Sequence, residues 1–482
     1  MSRFAPSKRW TSFEGWDYNG MKKRLEDLIA TLNKKVLIDH AERITGQKIS
    51  MSEPFSAGQY WMCFELVAED ETLIIARVRL PRHPNAAPTV SEKDEQYSIA
   101  CELSAMCFVR QRLSTVVVPR VYAYEGPASQ LATDAGAVYM LIEGFRGNTL
   151  QDSVPDLCGL PSAKLEHIMA QWTTIQTSLA ILTSPLIGSI SGITKTGEPI
   201  IDKLSSAASE GLMSPGPFST TVEYFTALGE ASLYRASCHE SSQSMSHFHR
   251  LGALVFLDIV QSTTFFQASP ARYPFNHMDL GTQNIIVDDD LNFLAVIDWE
   301  FAQTAPWQVN YYPMPFPLSW SDENIKTILD DPQHLAHKNV SRQTDARELY
   351  CRKFREAEAK LKEEGMPLGN QFAEVLESAA SRIYGCFSKL GDVPEQDEGL
   401  VYEMVRLAFN FDVERAKQYL DKVSNKLVFA STAGVFSGAG IPDDKQLRIE
   451  HVNAALEVRR RASHLEMDGS YEPKRSRLFN QE

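Results

Sequence analysis

Cysteine is scarce in this sequence and is not arranged for cross-linking or metal binding. The 482 residues include 7 cysteines, an odd number, and they are scattered along the chain without a C-x-x-C pair. Disulfide frameworks and structural zinc sites both need closely patterned cysteines. The sequence therefore predicts free thiols and argues against both kinds of site.

Long apolar runs are also missing. The most apolar stretch, Leu251–Val260, is far shorter than the roughly 20 residues that a membrane-spanning helix needs, and it contains Asp258. Near the N-terminus, Arg3, Lys8 and Arg9 are followed by no apolar segment, so no secretory signal is indicated. We expect a cytoplasmic protein without a membrane span.

Positive charge is in deficit, with 48 Lys and Arg residues against 62 Asp and Glu residues and a formal net charge of −14. Such a surface repels phosphate backbones, so nucleic acid is not an expected partner. Two short basic runs, Arg459–Arg461 and Lys474–Arg477, resemble a two-part nuclear import signal, although basic runs in polar tails are more often simply solvated. The composition is 43% hydrophobic and 23% charged, which is typical of a globular protein.

The first third of the chain predicts a helix followed by a small region of mixed sheet and helix. Apolar residues at helical spacing predict a helix over Gly20–Thr45, which Gly46 ends. An acidic turn at Glu69–Glu71 separates two strand-like segments and indicates an antiparallel hairpin. The predicted strands are Phe55–Val67, Thr72–Leu80, Val116–Tyr124 and Ala137–Ile142, and the helix among them is Glu92–Leu113.

Helices dominate from Ser162 onward, because apolar residues there recur at helical spacing between charged ones. We expect a helix beginning at Ser162, a small hairpin within Gly188–Leu204, helices from about Ser219 and over Met245–Phe266, and a helical block over Gln343–Leu427. The chain is accordingly predicted to contain a helical extension (1–46), a small lobe (47–143), a mainly helical lobe (144–430) and a polar tail (431–482).

The most informative segment places Asp279, Asn284 and Asp298 around two short apolar strands. Phosphoryl transfer needs one carboxylate to accept the proton of the attacking hydroxyl, and an amide plus a second carboxylate to hold Mg²⁺. Asp279 fits the first role. Asn284 begins a strand, and a hairpin turning at Asp288–Asp290 would bring Asp298 back beside it.

The alternative is that these three are only polar loop residues, since Asp and Asn favour turns. The complete spacing, together with the expected strand and loop context, favours the catalytic interpretation. His277 is interpreted as a structural residue that hydrogen-bonds backbone near the metal loop, and not as a general base.

At these residues the sequence resembles the aminoglycoside phosphotransferase family, particularly fungal proteins described as phosphotransferase-family or choline-kinase-like enzymes. The family's His-x-Asp-Leu-x-x-x-Asn loop is matched by His277–Asn284, and its metal carboxylate by Ile297–Trp299. The resemblance covers roughly Leu37–Leu318. It implies an α+β, bilobal protein-kinase-like fold, with a small mixed sheet-and-helix lobe, a hinge and a mainly helical large lobe, and with ATP and Mg²⁺ as cofactors.

The resemblance also implies nucleotide contacts in the small lobe. A strand cation paired with a helix Glu holds the phosphates in kinase-like enzymes. Arg77 and Arg79 both qualify as the cation, since strand residues two apart share a face, and Glu102 is the expected partner. Further expected contacts are the single glycine of a reduced phosphate loop, Gly58, and the hinge backbone at Glu143 and Phe145.

The function expected from these residues is an ATP- and Mg²⁺-dependent kinase acting on a hydroxyl of a small-molecule acceptor. A protein kinase is the enzymatic alternative, but Ala305–Pro306 follows Asp298 too closely for a long activation segment, and Gly281 replaces a common lysine. A kinase-like nucleotide-binding or scaffold protein with weak or no activity is the other alternative. The sequence specifies neither the acceptor nor the oligomeric state.

Overall fold

The computed structural model describes residues 21–58, 60–82, 90–238, 245–313 and 322–432. The chain divides into two compact units. The first contains Met1–Glu210, Ser214–Tyr224 and Phe265–Gly385, and the second contains Gly211–Met213, Phe225–Thr264 and Cys386–Glu482. Every residue proposed above for catalysis, metal binding or nucleotide binding belongs to the first unit.

Two helices open the described chain, α1 (Met21–Thr31) and α2 (Lys34–Thr45). The prediction of one helix over Gly20–Thr45 is therefore wrong at its centre. The backbone N–H of Asn33 donates to the carbonyl of Ala135 at 2.9 Å, a tertiary bond that replaces the helical one. Helical periodicity continues across the break because both helices pack their apolar faces on the same core.

A five-stranded antiparallel sheet follows, with the spatial order β1-β2-β3-β5-β4. Its strands are β1 (Ile49–Ala57), β2 (Trp61–Ala68), β3 (Leu73–Arg79), β4 (Val121–Glu125) and β5 (Tyr139–Glu143). The hairpin of β2 and β3 pairs Trp61 with Arg79 and Val67 with Leu73, which confirms the predicted acidic turn. β1 is a separate strand that the sequence prediction merged with β2.

Helix α3 (Glu92–Arg112) connects β3 to β4 and matches its prediction closely. It begins at a capping box in which Ser91 and Asp94 bond each other's backbone. The observed strand β4 is shorter than the predicted strand Val116–Tyr124. The start of the predicted segment bonds a different part of the chain, since the carbonyl of Val117 accepts the N–H of Val296. A short helix, α4 (Gln130–Ala135), precedes β5.

The rest of the first unit is mainly helical and contains two small sheets, which confirms the expected α+β class with an N-terminal sheet. Its helices are α5 (Leu150–Ser153), α6 (Ser162–Ile181), α7 (Ala207–Glu210), α10 (Asp322–Asp330), α11 (His337–Glu363), α12 (Phe372–Glu377) and most of α13 (Ala379–Phe387). Its strands are β6 (Asn148–Thr149), β7 (Thr183–Ser184), β8 (Gly188–Ile193), β9 (Pro199–Asp202), β10 (Tyr273–Asn276), β11 (Ile285–Val287), β12 (Phe293–Val296) and β13 (Gln303–Thr304).

The two small sheets frame the segment that carries the candidate site. One has the order β7-β10-β13-β8-β9 and the other β12-β11-β6. The hairpin of β11 and β12 pairs Ile285 with Val296, as the sequence predicts. Behind these sheets lies a core of large aromatic side chains, in which Trp172, Trp299 and Tyr350 are fully buried.

The second unit is helical as far as it is described. It contains most of α8 (Thr221–Cys238), together with α9 (Met245–Ser262), α14 (Pro394–Phe409) and α15 (Val413–Thr432). Phe256 stacks on Phe387 with ring centroids 3.7 Å apart. A Cβ added to Gly252 would lie 2.7 Å from Leu390, so glycine permits the close packing of α9 at this point.

None of the helices in the described ranges combines the length and apolar character needed to cross a bilayer. The basic runs Arg459–Arg461 and Lys474–Arg477 lie outside the described residues. The predicted polar tail over 431–482 does too, apart from the end of α15.

Candidate active site

The loop between β10 and β11 brings Asp279 and Asn284 into direct contact. The side-chain amide of Asn284 donates to the backbone carbonyl of Asp279 at 2.8 Å and to its Oδ2 at 2.9 Å. The amide nitrogen thus faces Asp279, and the amide oxygen lies on the opposite side of the planar group. One residue therefore orients the candidate base, and its amide oxygen is the candidate metal ligand.

The surroundings of Asp279 favour a carboxylate that can take up a proton. Burial raises the pKa of Asp279, and the nearby charge of Asp298 raises it further. Hydrogen bonds from Asn284 and from Gln283, whose Nε2 donates to Oδ1 at 3.1 Å, act in the opposite direction. The net pKa lies above the usual value for Asp, closer to the working range of a general base.

Asp298 follows β12 in a backbone conformation that sequence patterns do not reveal. Its φ is +65°, in the left-handed region that residues other than glycine rarely occupy. The preceding residue is anchored, since the N–H of Ile297 donates to the carbonyl of Asn284 at 2.9 Å. The backbone of Asn284 thereby fixes the chain position of Asp298.

His277 links the loop that contains Asp279 to the loop that contains Asp298. Its Nε2 donates to the carbonyl of Ile297 at 3.0 Å, and its ring packs against Trp299 with centroids 4.6 Å apart. Burial lowers the pKa of His277 to about 4, so the ring is neutral at physiological pH. The backbone hydrogen bond expected from the sequence is present.

The low pKa of His277 predicts a loss of stability in mild acid. The unfolded chain binds a proton near pH 6.5 but the native state only near pH 4, so stability falls as the pH drops through this window. We expect His277 to contribute a loss of about 2 kcal/mol between pH 7 and pH 5. Urea unfolding at both pH values should show a smaller acid loss for His277→Gln than for the wild type.

The matched control is His334→Gln, because His334 is exposed. This variant makes the same chemical change at a solvent-exposed position. An equal acid loss in the wild type and His277→Gln would show that the native state protonates His277 normally.

The structure distinguishes between the two candidate arginines of β3. Nη1 of Arg77 lies 2.5 Å from Oε1 of Glu102, and its Nη2 lies 3.7 Å from Oδ1 of Asp298. The Glu102 side chain is only 1% exposed. Arg77 therefore contacts both the helix glutamate and the candidate metal carboxylate, and of the two arginines that the sequence left open it is the one that meets Glu102.

Arg79 lies on the same face but has different partners. Its Nη2 is 3.4 Å from Oε2 of Glu95, and its guanidinium lies 4.7 Å from the ring centroid of Tyr60 and 5.2 Å from that of Trp61. The guanidinium of Arg77 also lies over the Trp61 ring, 5.0 Å from its centroid. Arg79 is thus held beside the Arg77 pair without contacting Glu102.

Glu300 is a feature that sequence reasoning did not place in the site. Burial raises its pKa to about 8, helped by the charges of Asp298 and Glu102 and opposed by Arg77 and Arg79. Its position two residues after Asp298 was a signal in the sequence, but the neighbouring charges come from β3 and α3. Only the fold brings them together.

The remaining predicted nucleotide contacts lie at two turns. The N–H of Gly58 donates to the carbonyl of Trp61 at 2.9 Å between β1 and β2, and a side chain at Gly58 would meet nothing within 4 Å. The Glu143 N–H donates to the carbonyl of Arg120 at 2.8 Å. The backbone N–H of Glu143 is thus already bonded within the protein, and adenine contacts at Glu143 and Phe145 stay a prediction.

The donor set of Asn284 and Asp298 suits a hard cation. An amide oxygen and a carboxylate are oxygen ligands of the type that Mg²⁺ prefers, and Mg²⁺ is commonly held by one or two carboxylates plus substrate phosphates. Within the described ranges, no three His, Cys, Asp or Glu side chains are grouped to hold a metal. Asn284 and Asp298 supply two oxygen ligands, and phosphate oxygens of a substrate are the usual further ligands of such a Mg²⁺ site.

Together, the five-stranded N-terminal sheet, the mainly helical remainder of the first unit and the Arg77–Glu102 pair fit the α+β class that the sequence predicts. No family model matches the chain. The protein named clavilactone A biosynthesis cluster protein Y, from Ampulloclitocybe clavipes, is 23% identical over 318 residues, which cover 65% of this chain and 73% of that protein.

Solved structures with similar chains include a candidate fructosamine-3-kinase from Thermobifida fusca YX-ER1, with 13% identity and a TM-score of 0.40 over 78% of this chain and 99% of that one. The amicoumacin kinase hAmiN, solved with AMP-PNP, Ca²⁺ and Ami, has 10% identity and a TM-score of 0.38 over 83% of this chain and 95% of that one.

Proposed function

We propose that this protein is a phosphotransferase that moves the γ-phosphoryl group of ATP to a hydroxyl of a small molecule. The observation that carries the proposal is the double role of Asn284, which orients Asp279 through its side chain and holds the Asp298 loop through its backbone. These contacts connect the base, Asp279, to the loop of the metal carboxylate, Asp298. The phosphate-binding cation, Arg77, lies 3.7 Å from that carboxylate.

Each residue has a defined task in the transfer. Asp279 takes the proton as the acceptor oxygen bonds to the γ-phosphorus, and the bond from that phosphorus to the β–γ bridging oxygen breaks to release ADP. Arg77, fixed by Glu102, binds the α- and β-phosphates. Mg²⁺ held by Asn284 and Asp298 would neutralise charge on the β- and γ-phosphates.

The segment after Asp298 supports a small-molecule acceptor over a protein substrate. Gln303 pairs with Asn276 on one side and with Ser189 on the other, so the chain enters a sheet five residues after Asp298. The long activation segment of protein kinases has no place there. The relative from a clavilactone biosynthesis cluster is in keeping with small-molecule chemistry.

Asp298→Asn tests the proposal, with Asp290→Asn as the matched control on an exposed turn. We expect MgATP to raise the melting temperature of the wild type and of Asp290→Asn, and to raise it much less for Asp298→Asn. Turnover in a screen of hydroxylated metabolites, followed as ADP release, should fall by roughly 10²–10³-fold in Asp298→Asn, because a group that stabilises developing charge is lost.

Two results would contradict the proposal. Equal stabilisation of all three proteins by MgATP would remove Asp298 from the nucleotide site. Nucleotide binding without transfer to any acceptor would instead favour a kinase-like binding protein.

A further inference from the structure

Helix α3, which carries Glu102, is bound near its N-terminal end by the chain that follows β9. The hydroxyl of Tyr97 donates to the carbonyl of Lys203 at 2.7 Å. The ammonium of Lys203 lies 3.5 Å from Oδ1 of Asp94 and 4.6 Å from the ring centroid of Tyr97. Three contacts therefore join the first turns of α3 to one residue.

The same hairpin binds the other end of α3. Nη2 of Arg112, the last residue of the helix, donates to the carbonyl of Gly197 at 2.8 Å and to Oε1 of Glu198 at 2.7 Å. Between these two ends, β8 packs along the helix. We refer to residues 188–203, which contain β8, the turn and β9, as the α3 brace.

The α3 brace is itself fixed to the strands that flank the catalytic loops. β8 pairs with β13, and β13 pairs with β10, the strand that leads to Asp279. After β9, the hydroxyl of Ser205 donates to the carbonyl of Glu300 at 2.5 Å. A Cβ on Gly188 would collide with the carbonyl of Asp202, so glycine allows β8 and β9 to lie this close.

Fixing both ends of α3 determines where Glu102 lies. Glu102 is five residues after Tyr97 and ten before Arg112, or about 8 Å and 15 Å along a helix axis. A helix held at one end can still pivot, whereas one held at both ends cannot carry Glu102 away from Arg77. In kinases the position of this helix decides whether the corresponding pair forms.

We propose that the α3 brace keeps the Arg77–Glu102 pair assembled before nucleotide binds, with Tyr97 and Arg112 as its positioning residues. The inference rests on the proposed function, in which this pair binds phosphate. It adds that contacts at both ends of α3 hold the helix in the position that forms this pair.

The test combines Tyr97→Phe with Arg112→Met. Each substitution removes hydrogen bonds but little volume, so we expect the double variant to bind MgATP about 5–30-fold more weakly, the factor that one or two lost interactions produce. Arg112→Lys should recover part of the affinity. Gln111→Met is the matched control, because Gln111 is exposed and bonds only Cys107 of its own helix.

A second measurement separates positioning from a merely structural role. In a Glu102→Gln background the same double substitution should cause little further loss of nucleotide affinity, since its effect acts through Glu102. An equal loss in both backgrounds would overturn the proposal.

Hydrogen exchange of peptides from 92–112 provides a readout without nucleotide. Exchange should accelerate in the double variant and stay at the wild-type rate in Gln111→Met. If the wild type binds no nucleotide, the proposed function fails while the exchange result still decides whether the brace holds α3. Unchanged exchange in the double variant would overturn the brace.

Discussion

Asp279→Asn is expected to lower kcat by about 10²–10⁴-fold, the usual contribution of a positioned general base. The substitution keeps the shape of the side chain and one of the two hydrogen bonds that Asp279 accepts, from Asn284 and Gln283. It replaces the other oxygen by an NH₂ group, and so removes the negative charge and the ability to take up the proton. Because Asp279 is not proposed to bind nucleotide, the Kd for MgATP should remain close to that of the wild type.

Two quantities should be measured for the wild type, Asp279→Asn and Asp290→Asn: the rate of phosphoryl transfer in a single turnover and the Kd for MgATP. The last variant makes the same chemical change on the exposed hairpin turn and should transfer at the wild-type rate. Transfer by Asp279→Asn at a rate near that of the wild type would mean that another group accepts the proton. Glu300, whose pKa is raised to about 8, would then be the next residue to replace by mutation.

Arg77→Met should destabilise the protein by about 3–5 kcal/mol, the range for breaking a buried ion pair from one side. The substitution leaves Glu102 buried, with its side chain only 1% exposed. Burial already raises the pKa of Glu102, and Arg77 is the largest opposing influence. Without Arg77 the pKa rises further, so the loss of stability should increase as the pH rises.

Urea unfolding and MgATP titration should be carried out together on Arg77→Met, Arg77→Met/Glu102→Leu and Arg79→Met. The double variant should recover much of the lost stability, because no buried charge is left unpaired, yet it should still bind MgATP poorly. Arg79→Met is the matched control on the same strand face, and it should lose less stability than Arg77→Met, because its partner Glu95 is 26% exposed and stays solvated when Arg79 is removed. Recovery of both stability and nucleotide affinity in the double variant would show that the pair is only structural.

The predictions from sequence were most accurate where a residue's role depends on its near neighbours in the chain. α3, the β2–β3 turn and the β11–β12 hairpin form from local periodicity and turn residues, and the structure has them almost as predicted. The contact between Asp279 and Asn284 is equally local, because only four residues of loop separate them. The prediction that Arg77 and Arg79 share a face also follows from strand geometry alone.

The sequence could not select Arg77 over Arg79, because the choice depends on where α3 lies relative to β3. Local patterns likewise merged α1 with α2, since a bond to Ala135, far along the chain, separates them at Asn33. The left-handed backbone of Asp298 was equally hidden from local patterns, and the raised pKa of Glu300 depends in part on groups from distant segments, Glu102, Arg77 and Arg79.

By itself, the sequence of this protein determined the chemical groups of the site, their spacing along the chain and the elements that carry them. Those features follow from short-range geometry and residue type. Only the tertiary structure decided which arginine meets Glu102, how Asn284 joins the two loops and what holds α3 in place. Each of these depends on packing between segments that are remote in sequence, and periodicity holds no information about such distances.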